Sequence, residues 1–318
     1  MSVYVAEYFG QRTDVDNPNI TPPQIPPKKK DRARLGWNGE IPTCPFTCGN
    51  PCKKMNSGYE PICAVRKQDG TLWLNCSDRL CATKKDIPLS EYQRGILLQA
   101  SHYIFSQEVE PERICVKREE RLSVIENTDY NADYIITLKE GRSDYSGPDR
   151  LVLEMQGGGE TSNTGVLTDH VRRWRELDHP TNVYLRQITG ASTLETNAWR
   201  RQQEQFIVKG NIAMKTWKGY GIAFCVGTLL FDYLKEKLKS ANLPNLKDYN
   251  WTLALIAFKE DNSHAPIPGP IPLVVDESRL LYTNYQTFVQ ALINQGEPSL
   301  DAFRGTFVNL INEEVVIP

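Results

Sequence analysis

The sequence predicts an α/β fold in which a mixed central sheet is flanked by helices, with a small cysteine-rich module joined near the N-terminus. Short strand-like apolar segments alternate with helix-like segments from residue 86 onwards. Six of the eight cysteines lie between Cys44 and Cys81, which marks that stretch as a separate module. We therefore expect an N-terminal arm and cysteine module over residues 1–85 and a larger domain over residues 86–318.

The elements follow in order along the chain. Val3 to Gly10 is strand-like, and the proline-rich stretch from Asn17 to Pro27 is expected to be an extended connector. Ser90 is placed to cap a helix whose apolar residues recur at helical spacing. Further strands are expected at Ile114–Val116, Tyr134–Leu138, Leu151–Gln156, Gly221–Val226 and Trp251–Phe258. Further helices are expected at Trp199–Trp217, Leu229–Leu238 and Tyr285–Leu292.

Charge and hydropathy limit the classes of function. The net charge of −2 argues against a uniformly basic protein, but it permits a basic cleft in an acidic surface. Residues 28–67 hold nine Lys or Arg against three Asp or Glu, and residues 200–239 hold eight against three. The longest apolar run, Ile222 to Leu230, is far shorter than the roughly 20 residues that span a bilayer. The N-terminal stretch does not resemble a signal peptide, so we expect a cytoplasmic protein, and we expect no membrane partner.

The cysteine cluster favours a metal site over disulfides in a protein without a secretion signal. Four thiolates in a tetrahedral arrangement satisfy Zn²⁺ or a single iron, and such a metal stabilises a segment too small to build its own core. The cluster comprises Cys44, Cys48, Cys52, Cys63, Cys76 and Cys81. Cys115 and Cys225 stand alone between apolar residues, so we expect them to be core thiols.

The strand Leu151–Gln156 carries the candidate chemistry. Alternate side chains of a strand share a face, so Glu154 and Gln156 project together while Leu153 and Met155 enter the core. Asp133 precedes the upstream strand, and a strand–turn–strand unit would bring its carboxylate and that of Glu154 to one edge. Hydrolysis of a phosphodiester needs a cation and an activated water, and carboxylates suit Mg²⁺.

Two other aspartates are candidates for the carboxylate that would bind a cation together with Glu154. Asp149 follows Pro148 and lies only five residues before Glu154, which is too far along the same strand to share an ion with it. Asp144 lies in the turn between the two strands and is a weaker candidate. Asp133 is therefore preferred.

Several segments resemble, in order and approximate spacing, the NotI restriction endonuclease family. They are Val5–Arg12, Thr43–Phe46, Cys63–Val65 and Trp73–Arg79. The Glu154-Met155-Gln156 strand resembles the PD-(D/E)xK nuclease core in the version whose final lysine is glutamine. The resemblance implies a type II restriction endonuclease, which hydrolyses both strands of duplex DNA at a specific sequence with Mg²⁺. It also implies a homodimer and the restriction-modification system of a prokaryote.

The resemblance assigns a role to each matching residue. Asp133 and Glu154 would bind the catalytic Mg²⁺ with help from the Met155 carbonyl, and Gln156 would orient the attacking water. One structural iron or zinc ion would be bound close to the DNA by Cys44, Cys52, Cys63 and Cys76. This sequence departs from the pattern by having Cys48 and Cys81 as well, and Cys48 is an alternative to Cys52 as the second ligand.

Contacts to DNA are expected from three places. Gly157 follows Gln156 directly, where a glycine would let the backbone approach the scissile phosphate, and Thr161 to Thr164 would donate hydrogen bonds. Lys53 lies in the first basic stretch. The helix near Asn197 to Trp217 carries a polar stripe at four-residue steps, formed by Arg201, Gln205 and Lys209.

Two alternative functions use the same residues. One is a repair or mobile-element nuclease with the same core. The other is a catalytically inactive DNA-binding protein, in which the cysteine module reads the DNA and the Glu154–Gln156 strand is a remnant. The presence of Asp133, Glu154 and Gln156 together favours an active enzyme.

Overall fold

The fold is built around a six-stranded sheet with helices on both faces. The structure is a computed structural model, which describes residues 2–85, 87–106, 108–124, 128–140, 147–159, 161–216, 220–294 and 303–317. Within these ranges the chain is a mixed α/β protein, which confirms the predicted class. No helix in these ranges is long and apolar enough to cross a membrane.

The N-terminal part forms a four-stranded antiparallel sheet of order β2-β1-β3-β4. Its strands are β1 (Val3–Tyr8), β2 (Gln11–Arg12), β3 (Ile62–Lys67) and β4 (Leu72–Leu74). Two one-turn helices accompany them, α1 (Lys53–Asn56) and α2 (Asp78–Cys81). The predicted first strand is confirmed, and the proline-rich connector contains no helix or strand.

The larger sheet has the order β10-β9-β8-β7-β6-β5, with β7, β8 and β9 parallel and the other pairs antiparallel. The elements before the first crossover are α3 (Glu91–Ile104), β5 (Ile114–Val124), β6 (Thr128–Leu138) and β7 (Arg150–Gln156). The two crossovers and the parallel strands that they reach follow. They are α4 (Thr164–Arg175), α5 (Asn182–Leu185), α6 (Glu195–Thr216), β8 (Tyr220–Gly227), α7 (Thr228–Lys237) and β9 (Leu253–Glu260). The last are β10 (Leu273–Thr283), α8 (Tyr285–Ile293) and the hairpin β11 (Gly305–Val308) and β12 (Glu314–Ile317).

The two faces of β7 pack into different hydrophobic clusters. Leu151, Leu153 and Met155 join the cluster that includes α3, whereas Val152 joins the cluster that includes α6 and α7. A strand covered on both faces is mostly apolar, which explains the apolar run from Leu151 to Leu153. Glu154 and Gln156 share the α6 face with Val152, so they are a polar interruption of a buried surface.

The N-terminal sheet shares these two clusters with the central sheet. Val5 and Trp73 lie in the α6-side cluster, and Ala64 and Leu74 lie in the α3-side cluster. A parallel bridge also joins Leu74 to Gly158 immediately after β7. The N-terminal sheet is therefore packed against the central sheet that carries Glu154.

Some features differ from the sequence expectations. Helix α4 is not predicted because only Leu167, Val171 and Trp174 are buried among its charged residues, and β10 is missed as well. Cys225 is a core thiol as expected, but the expectation for Cys115 is wrong. Cys115 lies on the edge strand β5, where its side chain is exposed.

Candidate functional site

Asp133 and Glu154 lie side by side on the neighbouring strands β6 and β7. Tyr134 pairs with Leu153 in the antiparallel register. One step further along this register, Asp133 therefore lies opposite Glu154. The backbone N–H of Met155 donates to Asp133 Oδ2 at 2.8 Å, and the backbone N–H of Asp133 donates to Glu154 Oε1 at 3.4 Å. The structure thus brings together the two carboxylates that the sequence paired.

The competing aspartates lie elsewhere. Asp149 is exposed and immediately precedes the first residue of β7, at the opposite end of the strand from Gln156. Its backbone carbonyl accepts a hydrogen bond from the Thr137 hydroxyl at 2.9 Å. Asp144 lies outside the described residues.

Helix α6 covers the polar side chains of β7. Lys209 Nζ lies 2.7 Å from Glu154 Oε2, and Gln202 Nε2 donates to Gln156 Oε1 at 2.9 Å. The Gln156 amide also donates to the Gly158 carbonyl. Glu154 and Gln156 of β7 are therefore each held by a partner on α6.

The electrostatics of the pair are dominated by burial. Glu154 is only 3% exposed; its burial and the neighbouring Asp133 raise its pKa above the ordinary glutamate value, and Lys209 opposes this rise. Burial likewise raises the pKa of Asp133, against the hydrogen bond from Met155 and the charge of Lys209. Two adjacent carboxylates and one lysine leave a deficit of positive charge, which a further cation would relieve.

Glu119 is a third carboxylate that the sequence analysis missed. Between the pairs Arg118–Tyr134 and Glu120–Ala132, the register sets it opposite Asp133 on the edge strand β5. Its φ of +46° lies in the left-handed region, and its charge contributes to the raised pKa of Asp133. The sequence offers no signal for it beyond two consecutive glutamates in a charged strand.

A groove of about 330 Å³ opens beside this site. One wall comes from residues 44–81, here called the cysteine segment, and includes Lys53, Lys54 and Ser77. The other wall includes Gln156 and, on α6, Arg201 and Gln202. The charge of Lys53 also lowers the pKa of Asp133, so the basic wall is electrostatically coupled to the carboxylates.

The structure separates the predicted DNA contacts into two groups. Lys53 and Arg201 line the groove, and Gln205 is exposed one turn further along α6. Gly157, Thr161 and Lys209 are buried, which does not fit direct contact with DNA. A Cβ atom at Gly157 would lie 2.7 Å from Leu74 Cδ1, so close packing against β4 requires this glycine. The Lys209 side chain points towards Glu154 and not to the exposed surface of α6.

The cysteine segment holds its thiols in a small hydrophobic cluster. Cys44, Cys52 and Cys63 pack together with Phe46 and Met55, and Cys76 is buried with its backbone N–H bonded to the Cys63 carbonyl at 3.1 Å. Burial raises the pKa of the Cys44 thiol to about 12 and that of Cys76 to about 11.

The two additional cysteines stand apart from this cluster. Cys48 is exposed. Cys81 is buried, with its sulfur 3.3 Å from the Tyr134 hydroxyl. The four cysteines assigned by resemblance are therefore the buried ones of the segment other than Cys81.

Four buried thiols are suitable donors for iron or zinc, but their arrangement is not that of a ligand set. Across the part of the chain that the structure describes, no three or more His, Cys, Asp or Glu side chains are grouped so that they could hold a metal ion. The four-cysteine centre stays a prediction. Asp133 and Glu154 match in number the one or two carboxylates through which proteins commonly hold Mg²⁺.

Direct contacts join the cysteine segment to the loop after β7. The Trp73 indole N–H donates to the Gly159 carbonyl at 2.9 Å, and the Gly159 N–H donates to the Leu74 carbonyl at 3.1 Å. In the same segment Lys53 Nζ donates to Ser77 Oγ at 3.1 Å. The basic wall of the groove is thereby fixed relative to Gln156.

No protein-family model matches the chain, and no curated protein matches it either. Two buried carboxylates provide hard oxygen ligands, and an anchored amide, Gln156, lines a groove that also carries lysines and an arginine. This combination suits a polyanionic ester as ligand and a hard divalent cation as cofactor.

Proposed function

We propose that this chain is a type II restriction endonuclease of the NotI-like PD-(D/E)xK kind, which cuts both strands of duplex DNA with Mg²⁺. The observation that carries the proposal is the contact between Asp133 and Glu154 beside Gln156, at a groove with lysines and an arginine on its walls. Each of these features occurs in many proteins, but their combination at one edge of a mixed sheet favours a nuclease.

The groove supplies the affinity for DNA in this proposal. Lys53, Lys54 and Arg201 provide the positive charge that neutralises phosphates. Polar side chains on the same walls, Asn75, Ser77 and Asn197, are suited to hydrogen bonds with phosphates or base edges.

The carboxylates supply the chemistry. Asp133 and Glu154, with the Met155 carbonyl, would hold Mg²⁺, which stabilises the charge that builds on the phosphate and acidifies its bound water. Gln156 is anchored by Gln202 and so presents its amide to the attacking water in a fixed orientation. A neutral amide suffices there because orientation requires a hydrogen bond and no charge.

The cysteines would stabilise the wall of the groove that carries Lys53 and Lys54. In this proposal Cys44, Cys52, Cys63 and Cys76 bind one iron or zinc ion and lose their protons on binding. Such a centre would cross-link the segment that carries Lys53 and Lys54, because both lysines directly follow Cys52.

A homodimer follows from cutting both strands. One site of this kind cuts one strand, and a symmetric DNA site is usually matched by a two-fold protein dimer. We expect light scattering to show two chains on one cognate duplex. A complex with a single chain would contradict a symmetric cutter.

Plasmid cleavage with and without Mg²⁺ tests the function, with Glu154→Gln as the matched inactive variant. Discrete fragments that require Mg²⁺ support the restriction enzyme. Diffuse nicking would favour the repair or mobile-element nuclease. Salt-sensitive binding without cleavage would favour the inactive DNA-binding protein.

A further inference from the structure

Lys209 is a buried lysine on a helix face where exposure is expected. Arg201 and Gln205 of the same stripe are exposed, whereas Lys209 is 2% exposed and lies 2.7 Å from Glu154 Oε2. An ammonium group loses its hydration on burial, so it is stable there only with an anionic partner. The partner here is one of the two candidate ligands for a divalent cation.

The two residues of α6 that contact β7 lie on one face of the helix, just as their partners lie on one face of the strand. Gln202 and Lys209 are seven residues apart, which is about two helical turns and returns to the same face. Their partners, Gln156 and Glu154, are two residues apart on one face of the strand. The helix therefore supplies an amide to the uncharged residue and an ammonium to the acidic one.

The Lys209 ammonium acts on both carboxylates of the pair. Its ammonium lowers the pKa of both Glu154 and Asp133, so it lies within electrostatic reach of each. Lys53 acts on Asp133 from the groove, but it is exposed and is bonded to Ser77. Among these cations, Lys209 alone contacts a carboxylate of the pair directly.

We propose that Lys209 is a positioning residue, whose ammonium holds the Glu154 carboxylate on the α6 side of β7 and competes with a divalent cation for it. This inference rests on the proposed function in one respect, namely that Asp133 and Glu154 bind such a cation. The built-in cation keeps two adjacent buried carboxylates together in the metal-free protein. It also weakens divalent-ion binding, because Lys209 must leave Glu154 before the ion takes its place.

Metal titration of the DNA-free protein tests this proposal. We would measure Mn²⁺ binding by calorimetry to full-length wild type, Lys209→Met, Lys209→Arg and Lys215→Met. Lys215 is the matched control because it is an exposed lysine of the same helix. We expect Lys209→Met to bind Mn²⁺ at this site about tenfold more tightly than wild type, while Lys209→Arg and Lys215→Met bind within about twofold of it.

Equal or weaker Mn²⁺ binding by Lys209→Met would overturn the proposal, as would wild-type protein that binds no Mn²⁺ at this site. Glu154→Gln identifies the site, because it removes the binding that Lys209→Met strengthens. Cleavage is not needed for this result, so a protein that binds Mn²⁺ as expected but cuts no DNA would refute the proposed function alone.

A second measurement uses wild-type protein in case Lys209→Met does not fold. Amine acetylation followed by mass spectrometry would compare Lys209 with Lys215, with and without Mn²⁺. We expect Mn²⁺ to raise the acetylation rate of Lys209 several-fold and to leave that of Lys215 unchanged. An unchanged rate at Lys209 under Mn²⁺ concentrations that saturate the site would contradict the competition.

Discussion

The carboxylate pair and the cysteine cluster are held in place differently. Asp133 and Glu154 are fixed by adjacent strands, whose register determines which side chains meet. The assigned cysteines are spread over loops and strand ends, where they pack with Phe46 and Met55 but do not form a ligand set in the described residues. Regular hydrogen bonding fixes distances without a ligand, whereas loop residues take a ligand geometry only when the metal binds.

The largest expected effect is on catalysis. Asp133→Asn or Glu154→Gln should lower the cleavage rate at least about 100- to 1,000-fold, because each removes a charge that stabilises the transition state through the cation. Specific DNA binding, measured in Ca²⁺ by gel shift, should change little. Asp149→Asn is the control and should cut normally; loss of cleavage in Asp149→Asn with normal cutting by Asp133→Asn would show that the wrong aspartate was chosen.

The second effect concerns the proposed metal centre of the cysteine cluster. Elemental analysis should find about one iron or zinc per chain, and Cys44→Ser or Cys76→Ser should release it and lower the free energy of unfolding by several kcal/mol. The exposed Cys115→Ser should keep the metal.

Elemental analysis of two further variants decides which cysteine is the second ligand. Metal retained by Cys52→Ser but lost by Cys48→Ser would reassign that position to Cys48. A wild-type protein with neither iron nor zinc would end the idea of a metal centre, and the cluster would then be purely hydrophobic.

The third effect tests an ion pair that would stabilise the cysteine segment independently of a metal. Arg79 follows Cys76 closely and is fully buried, with its Nε 2.6 Å from Glu7 Oε1 and its guanidinium bonded to the Ile271 carbonyl. Arg79→Met leaves the Glu7 carboxylate buried without a cation, which should cost about 3–5 kcal/mol of unfolding free energy. Chemical denaturation would measure this, with the exposed Arg34→Met as control. A loss below 1 kcal/mol would show that the pair does not anchor the segment.

The smallest effect concerns the basic wall. Lys53→Ala should weaken DNA binding and reduce the slope of log K against log salt by about 1, because one phosphate contact is lost. Filter binding over a range of salt concentrations would measure the slope. The exposed lysine Lys235 of α7 provides the control, since its alanine variant should keep the wild-type slope. An unchanged slope in Lys53→Ala would remove this wall from the DNA contact.

Local rules account for what the sequence could predict. The alternation of β7 places Glu154 and Gln156 on one face, and the structure has Asp149 just before the opposite end of the strand, as its distance along the chain predicts. Helix α6 is predicted as well, but the role of Lys209 is not. A lysine in a polar stripe looks solvated, and its contact with Glu154 joins residues 55 positions apart, which no local pattern reveals.

The glycines after Gln156 show the same limit. A glycine beside a candidate catalytic strand is open to two explanations, an approach path for a ligand or close packing against another segment. The partner segment decides between them, and here Leu74 lies against Gly157. The cysteines are comparable, because their number is visible in the sequence while their arrangement depends on the path of the intervening loops.

The backbone of Glu119 has a consequence for how this chain would evolve in the laboratory. A left-handed conformation costs a non-glycine residue roughly 1 kcal/mol, and glycine avoids that cost. Libraries randomised at this position and selected only for heat resistance should therefore enrich glycine, with asparagine next. If the carboxylate opposite Asp133 serves the chemistry, libraries selected for DNA cleavage should keep glutamate. The divergence of the two selections would measure how much stability the chain gives up at this position for activity.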